Sequence, residues 1–278
     1  MNVDDAIVVE GLYFSYSEKL VLKNINLRIK KGEIVTIMGE NGAGKTTLIK
    51  HFNGLLKPKK GKVIVLGMDT SQTPVSQLAR HVGLVFQNPD YQLFAETVEE
   101  EIAMALRNFG FPEERIKARV DWALKVFELD RYRKRSPYSL SIGERKRLSV
   151  ASVISYDPPI VVLDEPTAGQ DFVQKEKIVE LLFLLKQLKK TIVMITHDVE
   201  FAIKRSDRIV LMANGEIIAQ GTPFQIMSSI ELLKKTRLKP PQVVETAYIL
   251  KNRNVLPAET SIFTPKDLVE AVARYVCS

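Results

Sequence analysis

Eight consecutive residues combine small, flexible positions with a lysine and a threonine, a set of residue types that can bind phosphate. Residues 39–46 read GENGAGKT and fit the pattern G-x-x-x-x-G-K-[ST]. The glycines let successive backbone N–H groups turn toward phosphate oxygens, and a helix that starts at the end of the loop adds its dipole. Lys45 can bring a positive charge to the β- and γ-phosphates, and the Thr46 hydroxyl can ligate Mg²⁺. We call residues 39–46 the phosphate loop.

The residues on either side of the phosphate loop have the types that this chemistry requires. Residues 34–38 (IVTIM) are apolar and β-branched, which predicts a buried strand, and residues 47–52 (TLIKHF) predict the first turns of a helix. A chance glycine-rich turn is the alternative, and it explains neither flank. The strand, loop and helix together favour the phosphate-binding interpretation.

Two neighbouring carboxylates follow a second apolar run. Residues 160–163 (IVVL) predict a strand covered on both faces, and Asp164 and Glu165 come directly after it. Carboxylates at the end of a buried strand are costly unless they have a task. We predict that Asp164 holds Mg²⁺ and that Glu165 polarises the attacking water.

Two more polar side chains stand at the ends of apolar runs. Gln87 follows residues 82–86 (VGLVF), and His197 follows residues 191–196 (TIVMIT). A lone histidine is more often structural than catalytic. However, the carboxyl ends of parallel strands meet at one edge of an α/β sheet, where ligands bind. We therefore expect Gln87, Glu165 and His197 to share that edge.

The remaining segments predict an α/β chain with a helical insertion. Apolar runs at residues 34–38, 82–86, 160–163 and 191–195 predict the central strands, and residues 98–108, 113–129 and 143–156 have apolar residues at helical spacing. The prolines at 240 and 241 interrupt the chain, and a last helix is predicted near residues 265–276. We predict a main domain over residues 1–235 with a helical subdomain over about 91–156, and an extension over 236–278.

Composition limits the class of protein. The 278 residues are 45% hydrophobic and 26% charged, as in an ordinary soluble domain. The net charge of +7 favours an acidic surface as partner, either anionic lipid or nucleic acid. The single cysteine, Cys277, excludes a disulfide within the chain and suits a reducing compartment. We expect no signal peptide in the polar N-terminal residues, and no apolar run reaches the length of about 18 residues that a membrane span requires.

These motifs together resemble the ATP-binding-cassette (ABC) ATPases, over residues 6 to about 235. The phosphate loop resembles their Walker A motif, and residues 160–165 resemble Walker B with its adjacent glutamate. Residues 140–144 (LSIGE) resemble the signature LSGGQ, which is the most specific of the motifs. Gln87 is similar to the Q-loop glutamine, residues 168–171 to the D-loop, and His197 to the switch histidine. The implied fold has a RecA-like parallel-sheet core, an N-terminal antiparallel β subdomain and a helical subdomain.

The resemblance implies ATP and Mg²⁺ as ligands and gives roles to residues. Tyr16 is implied to stack on the base, although periodicity alone favours packing on the sheet. The phosphates are implied to contact Asn41, Gly42, Ala43, Gly44, Lys45, Thr46 and Thr47. Ser141 and Gly143 are implied to act on the ATP of a partner subunit, with Asp171 of the D-loop beside it. The implied Mg²⁺ ligands are Thr46, Gln87 and Asp164, and the implied catalytic residues are Glu165, His197, Gln87 and Lys45.

The resemblance also implies a head-to-tail dimer of two cassettes that closes on ATP and opens after hydrolysis. Three residues depart from the family pattern: Ile142 replaces glycine, Glu144 replaces glutamine and Gln170 replaces leucine. Glu144 places an anion near a phosphate, so we expect a working but weaker half-site. These departures favour a heterodimer with a sister cassette, although a homodimer stays open.

Residues 85–94 (VFQNPDYQLF) and 97–101 (TVEEE) are similar to the ATPases of energy-coupling factor (ECF) transporters and of cobalt or nickel importers. This likeness implies a peripheral subunit at the cytoplasmic face of the cell membrane. Its implied partners are an integral membrane coupling subunit, which contacts the residues after Gln87, and a membrane subunit that binds a vitamin or a metal ion. Residues 236–278 are implied to help the ATPases pair.

Two other classes of P-loop protein fit less well. A soluble ABC ATPase that acts on DNA or ribosomes has long coiled-coil insertions or two cassettes, and a P-loop kinase lacks the signature and the switch histidine. We therefore expect no nucleic-acid partner. The basic run at residues 57–62 predicts a solvated turn, whereas the run at 131–135 is compatible with a solvated loop or with a membrane partner.

Overall fold

Two β-sheets and the helices around them make up the fold. The computed structural model describes residues 3–227, 229–257, 260, 262 and 264–276. The strands are β1 Asp5–Ser15, β2 Leu20–Lys30, β3 Ile34–Gly39, β4 Lys60–Val65, β5 Met68–Asp69, β6 Val82–Val85, β7 Ile160–Asp164, β8 Thr191–Ile195, β9 Arg208–Ala213 and β10 Glu216–Gly221. The α-helices are α1 Lys45–Phe52, α2 Val75–Ala79, α3 Val98–Asn108, α4 Glu113–Val126, α5 Ile142–Ile154, α6 Phe172–Gln187, α7 Val199–Arg205, α8 Pro223–Met227, α9 Ile230–Lys235, α10 Gln242–Asn252 and α11 Pro265–Val276.

The larger sheet has the strand order β10-β9-β3-β8-β7-β6 among the described residues. All neighbours from β9 to β6 pair in parallel, and β10 is the antiparallel edge strand. Every residue of β3, β7 and β8 is buried, because the smaller sheet and α1 pack on one face of the larger sheet and α3 to α6 pack on the other. The α/β fold is therefore confirmed. The parallel pairing places the ends of β3, β6, β7 and β8 at one edge, next to the phosphate loop, Gln87, Glu165 and His197.

The smaller sheet is antiparallel, with the order β2-β1-β4-β5 among the described residues. Residues 7–10 and 25–29 carry the clearest β-forming pattern in this part of the sequence, whereas β1 and β2 have 11 residues each. The register between β1 and β2 shifts between Val9 and Leu12, and Gly11 has φ +54° while its N–H donates to Asn26 Oδ1 at 2.9 Å. Such a bulge breaks the alternation of inward and outward side chains, so the pattern did not show that the strand continues.

The helices predicted at residues 98–108, 113–129 and 143–156 are confirmed as α3, α4 and α5. Helix α3 begins at a Thr97 hydroxyl that accepts the Glu100 N–H at 3.3 Å. Leu106, Leu124 and Leu148, one from each helix, are fully buried in a core shared with one face of the larger sheet. Burial of each leucine stabilises the fold by about 2 kcal/mol. This shared core fixes the helices to the edge strand β6 and to its neighbour β7.

The last helices pack on two separate cores. Met227 and Leu233 of α8 and α9 pack with Leu211 of β9. Ala247 of α10 and Ala271 of α11 belong to a small core of their own. The predicted helix near residues 265–276 is confirmed as α11, and Cys277 lies outside the described residues. Within the ranges that the structure covers, none of the helices is both long and apolar enough to cross a membrane.

Candidate nucleotide-binding site

The phosphate loop connects β3 to α1 and depends on glycine at two positions. Gly39 has φ +147°, and a Cβ there would stand 2.0 Å from the Met212 carbonyl oxygen of β9. Gly44 precedes α1 with φ +97°, and a Cβ there would stand 2.7 Å from a methyl carbon of Leu22. Asn41 and Gly42 are exposed at the turn of the loop, and Ala43 is buried. The loop therefore packs tightly on β9 and β2 and keeps its turn open to a ligand.

Lys45 lies over the phosphate loop. Its ammonium group donates to the carbonyl oxygens of Gly39 at 2.8 Å and Glu40 at 2.9 Å. Burial lowers the pKa of Lys45, and the negative charges of Glu165, Asp164 and Glu40 oppose that shift. The charge of Lys45 is thus held at the site where the loop would bind phosphate.

Thr46 and Asp164 form the part of the site that fits a magnesium ion. The Thr46 hydroxyl donates to Asp164 Oδ2 at 3.1 Å, while Asp164 Oδ1 is buried without a hydrogen-bond partner. Burial raises the pKa of Asp164, and the nearby charge of Glu165 raises it further. A buried carboxylate oxygen with a free lone pair beside a hydroxyl is a donor set that Mg²⁺ accepts. The residues present therefore fit this ion.

Glu165 and His197 meet at the ends of β7 and β8. His197 Nδ1 lies 2.9 Å from Glu165 Oε2. Glu165 is buried and has φ +50°, and its N–H donates to the Ile195 carbonyl oxygen at 2.9 Å. The left-handed backbone costs about 1 kcal/mol for a residue with a side chain. This conformation turns the glutamate away from the strand and toward the histidine.

Gln87 shares a cavity with the two carboxylates. It follows β6 by two residues and is exposed. Together with Asp164 and Glu165 it lines a cavity of about 180 Å³ between the larger sheet and the helices α4, α5 and α6. The structure thus places Gln87, Asp164 and Glu165 around one cavity.

Tyr16 stands beside the phosphate loop with its ring open to solvent. Its hydroxyl lies 3.3 Å from the Thr47 hydroxyl of α1, and its side chain is 62% exposed. Phe14 supports the ring edge-on at 5.1 Å and is itself edge-on to His51 at 4.8 Å. A ring that is fixed at one edge and open on its face is suited to stacking on a base.

The signature residues begin α5, apart from the phosphate loop of the same chain. Ser141 is the N-cap of α5, and its N–H and hydroxyl both donate to Glu144 Oε2, at 2.9 and 2.8 Å. In the described part of the chain, these donors make no hydrogen bond to the phosphate loop. Ile142 is exposed, and Gly143 lines the cavity beside Glu165.

Asp171 has a local structural role. Its carboxylate caps α6 by accepting the Gln174 N–H at 2.8 Å. Its neighbour Gln170 lines the cavity. The predicted role of Asp171 toward ATP stays a prediction.

Residues of both basic runs form ion pairs or hydrogen bonds within the chain. Arg133 pairs with Asp121 at 2.6 Å, with Asp130 at 3.0 Å and with Glu99 at 3.6 Å. Lys134 also pairs with Glu99. In the run at residues 57–62, Lys57 donates to the Thr73 carbonyl oxygen at 2.9 Å, and residues 59–62 are exposed.

The family model described as "ABC transporter" matches residues 22–168, more than half of the chain. The chain belongs to the ABC transporter family. The predicted ABC ATPase is therefore confirmed, and ATP is its substrate.

Individual relatives extend the likeness to most of the chain. The energy-coupling factor transporter ATP-binding protein EcfA of Methanocaldococcus jannaschii is 40% identical over 270 residues, which is 96% of each chain. EcfA1 of Caldanaerobacter subterraneus is 39% identical and covers 95% of this chain and 98% of its own. The predicted likeness to ECF ATPases is therefore confirmed.

Solved structures of ABC cassettes share the fold. The structure of cbiO1 from Clostridium perfringens, part of the ABC transporter complex cbiONQ, has a TM-score of 0.74 at 34% identity, covering 88% of this chain and 99% of that chain. A dimeric post-hydrolysis state of the ATP-binding cassette MJ0796, bound to ADP and Pi, has a TM-score of 0.71 at 31% identity, covering 78% and 98%.

One residue at the site of this ABC ATPase was missed by the sequence analysis. Lys146 lines the same cavity as Glu165, and its ammonium group donates to the Ala168 carbonyl oxygen in the D-loop. Burial lowers the pKa of Lys146, and the charge of Glu165 opposes the shift. The sequence signal that could have indicated Lys146 was its position three residues after Gly143, one turn into α5.

Proposed function

We propose that this chain is the ATP-hydrolysing subunit of an ECF-type importer for a vitamin or a transition-metal ion. ATP hydrolysis is supported by the arrangement of Glu165 and His197 beside the Thr46–Asp164 pair, at the sheet edge that ends in the phosphate loop, and the importer type is supported by the ECF relatives described above. This edge has a base-stacking ring, a phosphate cradle, a cation-binding oxygen and a carboxylate next to a histidine, which are the parts that ATP hydrolysis needs.

In this proposal ATP binds along the phosphate loop. Tyr16 contacts the base, and Lys45 neutralises charge on the β- and γ-phosphates. The backbone of residues 41–44 and the hydroxyls of Thr46 and Thr47 provide the remaining contacts. Thr46, Asp164 and Gln87 would hold Mg²⁺, which would supply positive charge that offsets the charge of the phosphates.

Glu165 is the group that prepares the water for attack on the γ-phosphorus. Its carboxylate accepts a hydrogen bond from the water and orients a lone pair toward the phosphate. His197 donates its Nδ1–H to Glu165 Oε2, which keeps that oxygen in place and leaves the other oxygen for the water. Gln87 lies in the same cavity and completes the polar lining.

A second cassette completes the site. Ser141 and Gly143 at the N-terminus of α5, with Asp171 nearby, act on the ATP that is bound by the phosphate loop of the partner. The partner is a second copy of this chain or a sister cassette. Residues 236–278 form an extension that supports pairing, and the exposed side chains of Tyr248, Ile249 and Val269 offer it apolar surface.

The segment after Gln87 is the proposed contact with the integral membrane coupling subunit. Tyr91 and Phe94 are 78% and 64% exposed, an unusual state for two large aromatic side chains so close together in sequence. The segment is held firmly: the Tyr138 hydroxyl donates to the Leu93 carbonyl oxygen at 2.9 Å, and Glu101 accepts the N–H groups of Phe94 and Ala95. Binding there would place the chain at the cytoplasmic face of the membrane, while a separate membrane subunit recognises the cargo.

The first experiment is a pull-down from detergent-solubilised native membranes with the full chain as bait. We expect a polytopic membrane protein and a second cassette to be recovered, together with a small membrane subunit that indicates the cargo. A matched bait with Tyr91→Ser and Phe94→Ser should lose the membrane proteins but keep the cassette. Recovery of a self-dimer without membrane proteins from both baits would contradict the importer proposal. Salt-dependent binding to DNA or ribosomes would then favour the soluble alternative.

A further inference from the structure

The donors of the signature serine are already used inside the chain. Ser141 directs its N–H and its hydroxyl to one oxygen of Glu144, at 2.9 and 2.8 Å. In return, the Glu144 N–H points to the Ser141 hydroxyl oxygen at 3.4 Å. This is a capping box, in which an N-cap serine and the glutamate three residues later satisfy each other. Since a hydroxyl has one hydrogen, it cannot donate to a second anion at the same time.

Glu144 is also held from outside α5. Its other oxygen accepts the Tyr132 hydroxyl, and Arg131 lies 3.7 Å from that oxygen. The Tyr132 ring is itself contacted by the guanidinium groups of Arg131 and Arg135, at 4.6 and 5.5 Å from its centre. The hydrogen bond from Tyr132 is the main reason why the pKa of Glu144 falls to about 2. The carboxylate is therefore ionised at any pH at which the protein works.

The Glu144 carboxylate resembles the γ-phosphate of ATP, which is the ligand that the signature would bind. Both are anions, and both use the N–H groups and the N-cap hydroxyl at the start of a helix, here one of 13 residues. A glutamine would keep the shape of the capping box without the charge. Its hydrogen bonds to Ser141 would be weaker, because charge-assisted hydrogen bonds are about twice as strong as neutral ones.

We propose that Glu144 is a positioning residue that holds the donors of Ser141 until the γ-phosphate of ATP on a partner subunit displaces it. Glu144 thereby raises the ATP concentration at which two cassettes pair. This inference rests on the proposed function, and it applies to a pair of copies of this chain. It assigns Glu144, Tyr132 and Arg131 to the control of pairing rather than to the binding of ATP by the phosphate loop.

The test measures pairing in the full chain with hydrolysis blocked by Glu165→Gln. Dimer formation is followed by analytical ultracentrifugation as MgATP is increased, and ATP binding to the monomer is measured separately with a fluorescent analogue. Adding Glu144→Gln should lower the ATP concentration for half-maximal pairing by about 5- to 10-fold and leave monomer binding unchanged. Tyr132→Phe, which removes only the outer hydrogen bond, should shift it in the same direction by less.

Controls separate this role from a structural one. Glu128→Gln removes a carboxylate that lies outside the signature, where it lines the cavity and pairs with Lys177, and should leave the pairing of cassettes unchanged. Ser141→Ala removes the hydroxyl that both the Glu144 carboxylate and the γ-phosphate use. It should raise the ATP concentration for half-maximal pairing. An unchanged or higher requirement in Glu144→Gln, with an unchanged melting temperature, would overturn the role of Glu144. Absence of ATP-dependent pairing in the Glu165→Gln chain itself would overturn the self-pairing on which the inference rests, and the two results cannot be confused.

Discussion

His197 Nδ1 lies 2.9 Å from Glu165 Oε2, although the two residues are 32 positions apart in the chain. The contact exists because β7 and β8 are neighbours in parallel, so that their carboxyl ends coincide. In this pair only the glutamate is buried, and the histidine reaches it from the solvent side. Glu165 also lines the cavity that Asp164 and Gln87 line, so the histidine contacts a carboxylate of that cavity.

The first prediction concerns this pair. Glu165→Gln should lower the rate of ATP hydrolysis by about 100- to 10,000-fold, the range for loss of a general base, while ATP binding is retained. His197→Ala should lower it as well, because Glu165 Oε2 loses its donor. Phosphate release and ATP titration measure the two properties. His81→Ala, at a histidine just before β6, is the matched control, and comparable loss in that variant would contradict the assignment.

The second prediction separates stability from activity at Asp164. Burial raises the pKa of this carboxyl, so the folded chain binds the proton more readily than the unfolded chain does. Its contribution to stability is therefore full at low pH and is lost as the pH rises through the native pKa. Asp164→Asn should raise the melting temperature at neutral pH without nucleotide, and the gain should vanish in acid.

The same substitution should lower Mg²⁺-dependent hydrolysis by at least about 10- to 100-fold, because the ion loses a charged oxygen ligand. Thermal unfolding at several pH values and activity at several Mg²⁺ concentrations test both parts. Asp4→Asn, at an exposed aspartate, is the control for a change of charge alone. A lower melting temperature in Asp164→Asn at neutral pH would contradict the inference that burial of the Asp164 charge destabilises the fold.

The third prediction concerns the close packing of the phosphate loop. Gly39→Ala would place a methyl group 2.0 Å from the Met212 carbonyl oxygen, which forces the loop or β9 to move. We expect a loss of about 1–3 kcal/mol in the free energy of unfolding and a loss of ATP binding. Urea unfolding and ATP titration measure these effects. Gly67 also has a positive φ, +87°, but a Cβ there would have no atom within 4 Å. Gly67→Ala therefore tests backbone strain without overlap and should keep ATP binding.

The fourth prediction concerns Tyr16. Tyr16→Ala should weaken ATP binding by about 1–3 kcal/mol, the range for stacking of one base on an aromatic ring. Tyr16→Phe keeps the ring but removes the hydroxyl near Thr47, so its affinity should stay close to that of the natural chain. Calorimetric titration of both variants distinguishes stacking from the hydrogen bond. Equal losses in the two variants would show that the hydroxyl matters more than the ring.

The sequence by itself determined the features of this protein that depend on neighbouring residues. Residues 39–46 carry the phosphate loop because glycine conformation and the start of a helix are local properties. The positions of Gln87, Glu165 and His197 followed from apolar runs that end in a polar residue, combined with the general geometry of parallel sheets. The helices α3, α4 and α5 followed from apolar residues at helical spacing, which is also a local signal.

Only the tertiary structure decided which side chains meet. The partners of Glu144 are Ser141, three residues away, and Tyr132, twelve residues away across a turn, and only the first follows from a local motif. Lys146 lies beside Glu165 in the cavity because α5 shares a core with β6 and β7. The pairing of the basic run at residues 131–135 with Glu99 and Asp121 was likewise undecided by sequence. Apart from the contact with Ser141, these ion pairs and hydrogen bonds join residues that are distant in sequence, so their partners are set by how the elements pack.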